Sequence, residues 1–191
     1  MVAVTWLLLL VVQPLLVQQR RLELHRRLGR VTWIVALLFA LASTLLAHRR
    51  TAQMDLATLD AEAAFFYLPF HTTALFVVCY ALGLAFRATP AAHGRFMVAT
   101  ALLMIDPVVG RILHFYFPPL PDPRWIAVLT FALTDLLLAA LVFTFRGPVP
   151  ARRALLAMFA LFVVAHTLWF TFAPTRPWHD LVVRFRSLPL T

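Results

Sequence analysis

Asp106, Arg111 and Asp135 are charged residues set inside long apolar runs. A charge in lipid is costly, so an ionisable side chain there marks a ligand site, a proton site or a buried ion pair. A rise of about 1.5 Å per helical residue, counted from Arg95, puts Asp106 roughly 16 Å into the bilayer and Arg111 roughly 24 Å in. Counted from Arg124 on the opposite side, Asp135 also lies roughly 16 Å deep. Asp106 and Arg111 are separated by roughly 140° around one helix, which is poor geometry for a pair on that helix. Arg111 is therefore expected to meet Asp135 on another helix, or Asp106 across a turn that Pro107 distorts. Three readings stay open: a structural ion pair, a ligand or proton site, and an Arg111 that reaches back to the interface.

The histidines suggest a different chemistry. His71 and His166 share a depth of roughly 10–12 Å below the outer surface, and His25 and His93 stand at inner helix starts. Neutral imidazole is an axial ligand and a helix bundle can hold a macrocycle, so His71, His166, His25 and His93 are candidates for binding haem b. The simpler alternative gives His25 and His93, beside arginines at helix N-termini, to lipid phosphate. It leaves His71 and His166 bonded to nearby carbonyls. His48 and His114, at outer helix ends, could join Asp55 or Glu62 in a metal site, but no metal is assigned.

Catalytic signatures are missing. The serines are Ser43 and Ser187, and neither lies in a G-x-S-x-G turn. No H-E-x-x-H, P-loop or dinucleotide-binding glycine pattern occurs. Cys79 is the single cysteine, which excludes an internal disulfide. These absences favour a non-enzymatic protein.

The elements that must position these residues are apolar runs over about 2–17, 31–47, 63–86, 96–117, 125–145 and 154–172. The chain is 62% hydrophobic and 13% charged, against about 25% charged in an ordinary soluble domain. Its backbone groups must pair within each run in lipid, so the runs are expected to be helices. The expectation is an all-α membrane bundle of about six transmembrane helices in three hairpins over residues 1–175. A C-terminal interfacial amphipathic segment follows over 176–191. Val2 to Val17 lacks a basic leader and a cleavage signal, so it reads as a retained helix. It is short for a span, which needs about 20 residues.

The net charge is +9 and all 17 basic residues are arginine. They cluster in the first, third and fifth connections, which places those turns in the cytoplasm and both termini in the periplasm. Anionic lipid headgroups at these turns are the expected partner, and nucleic acid is excluded because no soluble module carries a basic face. His25-Arg26-Arg27-Leu28 and His93-Gly94-Arg95-Phe96 echo each other, with Thr32 and Thr100 following at the same offset. Residues 51–64 read as an acidic surface helix, and the prolines from Pro118 to Pro123 as a stiff extended segment.

Leu24-His25-Arg26-Arg27-Leu28-Gly29-Arg30, His93 to Thr100, Ile105-Asp106-Pro107-Val108-Val109-Gly110-Arg111 and Leu133-Thr134-Asp135-Leu136 resemble an uncharacterised family of small bacterial polytopic inner-membrane proteins. That family carries LHRRLG and HKRLM-like helix-start motifs. The likeness covers most of residues 22–140, with Gly94 and Phe96 where the family tends to have Lys and Leu. It implies a multi-helix protein of the inner membrane and brings no activity with it. The leading expectation is an accessory or small-ligand-binding component with a polar site in the outer half of the bundle. A b-type haem or quinone-linked redox protein and a small proton-coupled transporter are the alternatives.

Reporter fusions after Arg27, Ala92 and Pro150 are expected to read cytoplasmic, and fusions within residues 51–61 periplasmic. A C-terminal fusion on the same side as the three basic turns would mean an odd number of spans.

Overall fold

The structure is a computed structural model that describes residues 2–117 and 123–191. These form α1 (Val2–Gln18), α2 (Leu22–Gln53), α3 (Leu56–Glu62), a 3₁₀ turn (Ala63–Phe66) and α4 (Tyr67–Ala85), followed by α5 (Pro90–Leu102), α6 (Ile105–Tyr116), α7 (Pro123–Thr144), α8 (Val149–Thr171) and α9 (Arg176–Arg186). The fold is all-α as expected, with no strand among the described residues. The expected proline-stiffened segment, at 118–122, lies outside them.

Five segments are long and apolar enough to cross a membrane: Leu22–Gln53, Leu56–Ala85, Pro90–Tyr116, Arg124–Thr144 and Val149–Thr171. Only 22 to 39% of each apolar window is buried inside the protein, so most of that surface needs an apolar solvent. The chain is a multi-pass membrane protein. The sixth apolar run, α1, has 17 residues, a rise of about 25 Å against a hydrocarbon core of about 30 Å. It is shorter than the other five.

Two of the expected runs differ most from the helices that form. Helix α2 continues through Arg49 and Arg50 to Gln53, because nothing in that stretch breaks a helix. The expected single run over 96–117 is two helices, interrupted at Leu103 and Met104. Pro107 has no N–H to give the Leu103 carbonyl, and proline is tolerated in the first turn of a new helix rather than inside an old one.

The chain divides into two compact units. The first comprises residues 1–77 and 168–191. Its α1–α2 hairpin turns at Arg20, which adopts a left-handed φ of 58°. Arg21 N–H bonds Leu16 O at 2.8 Å and Arg20 N–H bonds Val17 O at 3.0 Å, the double bond of a Schellman cap. Trp6 and Phe39 both pack on Phe76, at 5.0 and 4.3 Å between ring centroids. Asp55 caps α3 by accepting from Thr58 N–H and Thr58 Oγ1 at 2.8 Å each, and these bonds hold its carboxyl below the usual value.

The amphipathic α9 turns Trp178 and Val182 into the protein. Trp178 Nε1 donates to Ala63 O at 2.8 Å, and the rings of Tyr67, Phe70 and Phe172 surround its indole. His179 Nε2 meets Asp60 Oδ1 at 2.7 Å, and Arg186 Nη2 donates to Met54 O at 3.0 Å. Leu181 stays on the exposed side.

The second unit comprises residues 78–167. His93 Nδ1 donates to Gly83 O at 2.7 Å and ties the α4–α5 turn. Arg95 lies 4.7 Å over the Phe145 ring. Helix α6 packs on α7 at Gly110, where a Cβ would stand 3.6 Å from Ile126 Cγ2 and 3.8 Å from Thr130 Cγ2. Cys79 is fully buried in α4.

Trp178→Ala is expected to lower stability by about 3–5 kcal/mol, read as earlier thermal unfolding in detergent. An unchanged melting point would show that α9 is not part of the cooperative unit. Gly110→Ala should be tolerated, because 3.6 Å is ordinary contact, whereas Gly110→Leu should separate α6 from α7 and destabilise. Equal melting of the two variants would contradict that packing.

Candidate functional site

Helices α6, α7 and α8 converge on the imidazole of His166. Nε2 lies 3.2 Å from Asp106 Oδ2, and Nδ1 lies 2.9 Å from Asp135 Oδ1. Thr134 Oγ1 donates to Asp106 Oδ1 at 2.6 Å. The side chains of His166 and Asp106 are 4 and 7% exposed, and that of Asp135 is 25% exposed. Phe131 stacks flat on the imidazole at 4.1 Å, 9° from parallel, and Phe162 meets it edge-on at 6.0 Å.

Local sequence explains the convergence. The interruption before α6 places Asp106 in the first turn of a new helix, where N–H groups and the helix dipole favour a carboxylate. Thr134 and Asp135 are consecutive on α7, so one turn supplies a donor to Asp106 and an acceptor to His166. Other threonines return their hydroxyls to their own helix: Thr32 to Gly29 O, Thr44 to Ala40 O, Thr100 to Met97 O and Thr130 to Ala127 O. That is the usual recourse of a hydroxyl in an apolar helix. Thr134 departs from it by reaching α6.

The arrangement fixes a proton count. A carboxylate oxygen only accepts, so each of the two N···O contacts needs a proton between its atoms. Two protons are therefore shared by three titratable groups. The states are an imidazolium between two carboxylates, or a neutral imidazole between one carboxyl and one carboxylate. Both carry net charge −1.

The expected Arg111–Asp135 ion pair does not form. Arg111 Nη1 donates to Pro107 O at 3.0 Å, on the exposed side of α6, and Asp135 belongs to His166. The cause is the angular offset along α6: with Asp106 turned inward, Arg111 is carried outward. Asp106 and Asp135 are brought together, and Arg111 is not.

The haem candidates also have other partners. An axial ligand needs a nitrogen lone pair directed at iron, and both nitrogens of His166 face carboxylates, so His166 does not fit that role. His71 Nδ1 donates to Tyr67 O at 3.2 Å, and its ring stacks on Tyr67. His93 is held by Gly83 O. His25 receives a donor from the Gln13 carboxamide, whose oxygen accepts from Gly29 N–H at 3.0 Å. His25 and His93 thus each tie a helix start to the helix before it. Members of the expected metal set are likewise engaged elsewhere: His48 Nδ1 meets Thr191 Oγ1 at 2.6 Å, Asp55 caps α3, and Glu62 pairs with Arg50 at 3.1 Å.

Compared with known proteins, the chain matches no protein-family model, no curated protein and no solved structure.

A double-mutant cycle on thermal stability is expected to give coupling of about 0.5–3 kcal/mol between His166→Leu and Asp135→Leu. Arg111→Leu and Asp135→Leu should add within about 0.5 kcal/mol. The reverse pattern of couplings would restore the arginine pair and remove the histidine one.

Proposed function

We propose that this chain is a non-enzymatic protein of a bacterial inner membrane that handles protons, a small proton-coupled carrier whose loading point is the Asp106–His166–Asp135 cluster. The observation that carries the reading is the buried imidazole with a carboxylate at each nitrogen. Ionisable groups at membrane depth are expensive, and chains of Asp, Glu and His are the usual material of proton relays. A second feature supports it. The α5–α6 span is discontinuous at the cluster, and broken helices with a half-helix N-terminus at a polar site are a recurring device of carriers.

The finer placement comes from arginine asymmetry and from the resemblance to small inner-membrane proteins. The basic turns face the cytoplasm and its anionic headgroups, and both termini face the periplasm, with α1 crossing where the bilayer thins locally. Asp106 and Asp135, reckoned from opposite ends of their helices, fall at matching depth, which puts the cluster in the middle to outer bilayer.

The test uses purified protein in liposomes that hold a pH-sensitive dye, driven by a potassium diffusion potential. Wild-type vesicles should acidify or alkalinise with the imposed potential. Asp135→Asn and His166→Gln should fall to the rate of protein-free vesicles, while Asp60→Asn, on the outer surface, should retain flux. Wild-type flux no faster than that of empty vesicles would sink the proposal.

A further inference from the structure

The two ends of the cluster are unequal. Asp135 is 25% exposed, whereas Asp106 is 7% exposed and carries a hydroxyl donor on its other oxygen. Between them the imidazole offers one nitrogen to each. The groups facing the ring from α6 and α7 are Asp106 and Asp135. Phe131 covers one face of the ring, which opposes rotation of the imidazole.

We infer that His166 is a two-ended proton relay, with Asp135 as its open port, Asp106 as its enclosed store and Thr134 as the positioning residue of the store. This rests on the proton-handling reading above and adds direction and division of labour to it. The step starts with Asp135 protonated, its O–H donating to Nδ1, and with Nε2–H donating to an ionised Asp106. The Nδ1 lone pair takes the Asp135 proton, and the O–H electrons remain on Asp135. The Nε2–H bond then breaks, its electrons return to the ring, and Asp106 Oδ2 forms an O–H bond. Asp135 has lost one proton, Asp106 has gained one, and the imidazole is neutral again as the other tautomer. The cluster holds two protons and charge −1 before and after, so no extra charge is left in the low-dielectric interior. No ring flip is needed, because both nitrogens are already in contact with their partners.

Thr134 makes the receiving atom unambiguous. Its hydroxyl occupies Asp106 Oδ1 at 2.6 Å, which leaves Oδ2 towards His166. It touches no nitrogen of the ring, so its part is to orient the store.

Time-resolved infrared spectroscopy of the whole protein in detergent tests the relay. The signal is the C=O band of protonated Asp106 after an acid jump, identified by its loss in Asp106→Asn. In wild type the band should rise promptly. In Asp135→Asn and in His166→Gln it should rise about 10²-fold more slowly or worse, the usual worth of a positioned proton-transfer group. Thr134→Val keeps the side-chain shape and should shift the band frequency, because the hydroxyl bonded to that carboxyl is gone. An unchanged rise in both Asp135→Asn and His166→Gln would overturn the relay, and an unshifted band in Thr134→Val would overturn the positioning role. If His166→Gln does not fold, Asp135→Asn alone decides the relay. Failure of the underlying reading looks different: wild type would show neither flux in vesicles nor an Asp106 band. Wild-type flux with undelayed variants removes the relay alone.

Discussion

A buried imidazole between two carboxylates ties three helices together through protons that each must share. Either nitrogen contact fails unless a hydrogen sits in it, and in a low-dielectric setting an unpaired member of such a network is costly. Much of the second unit follows from satisfying this requirement. The interruption at Leu103 and Met104 turns a carboxylate inward at the start of α6. Gly110 lets α6 lie close on α7, which brings Thr134 within reach of Asp106. Phe131 and Phe162 line the ring with apolar surface that offers it no competing acceptor.

Elsewhere the packing is spare. With 22 to 39% of each spanning window buried, hydrophobic burial against other helices does little to hold the spans, because lipid tails are as apolar as leucine. Specific contacts serve instead. Trp178 reaches a backbone carbonyl across the first unit, His93 closes the α4–α5 turn, and the Gln13–His25 contact closes the α1–α2 turn. Threonine hydroxyls are mostly consumed within their own helices and stay out of this economy of contacts. Thr134 is informative because it does not.

The helical character of the chain could be read from composition and run length, since each apolar stretch is too long and too uniform for a soluble core. So could the amphipathic α9, from Trp178, Val182 and Pro177. The site was only half legible. Asp106 and Asp135 stood out as charges at membrane depth, and His166 as a histidine at nearly the same level. Their partnership depends on rotation about each helix axis, which a depth count leaves free. Arg111 misled for that reason: opposite charge suggested a pair, while its position around α6 directed it outward. Thr134 carried no signal beyond standing next to Asp135. The break before Pro107 was foreshadowed by the proline, but its effect was a restart of the helix rather than a bend.

Cys79, the sole thiol of the chain, is fully enclosed in α4. The folded protein therefore arrives chemically silent towards water-soluble maleimides without any engineering. A cysteine placed at any exposed position would be the one reactive sulfur in the molecule. The sidedness of every loop, the depth of Arg111 and the accessibility of Asp135 thus become measurable one residue at a time in an otherwise native background.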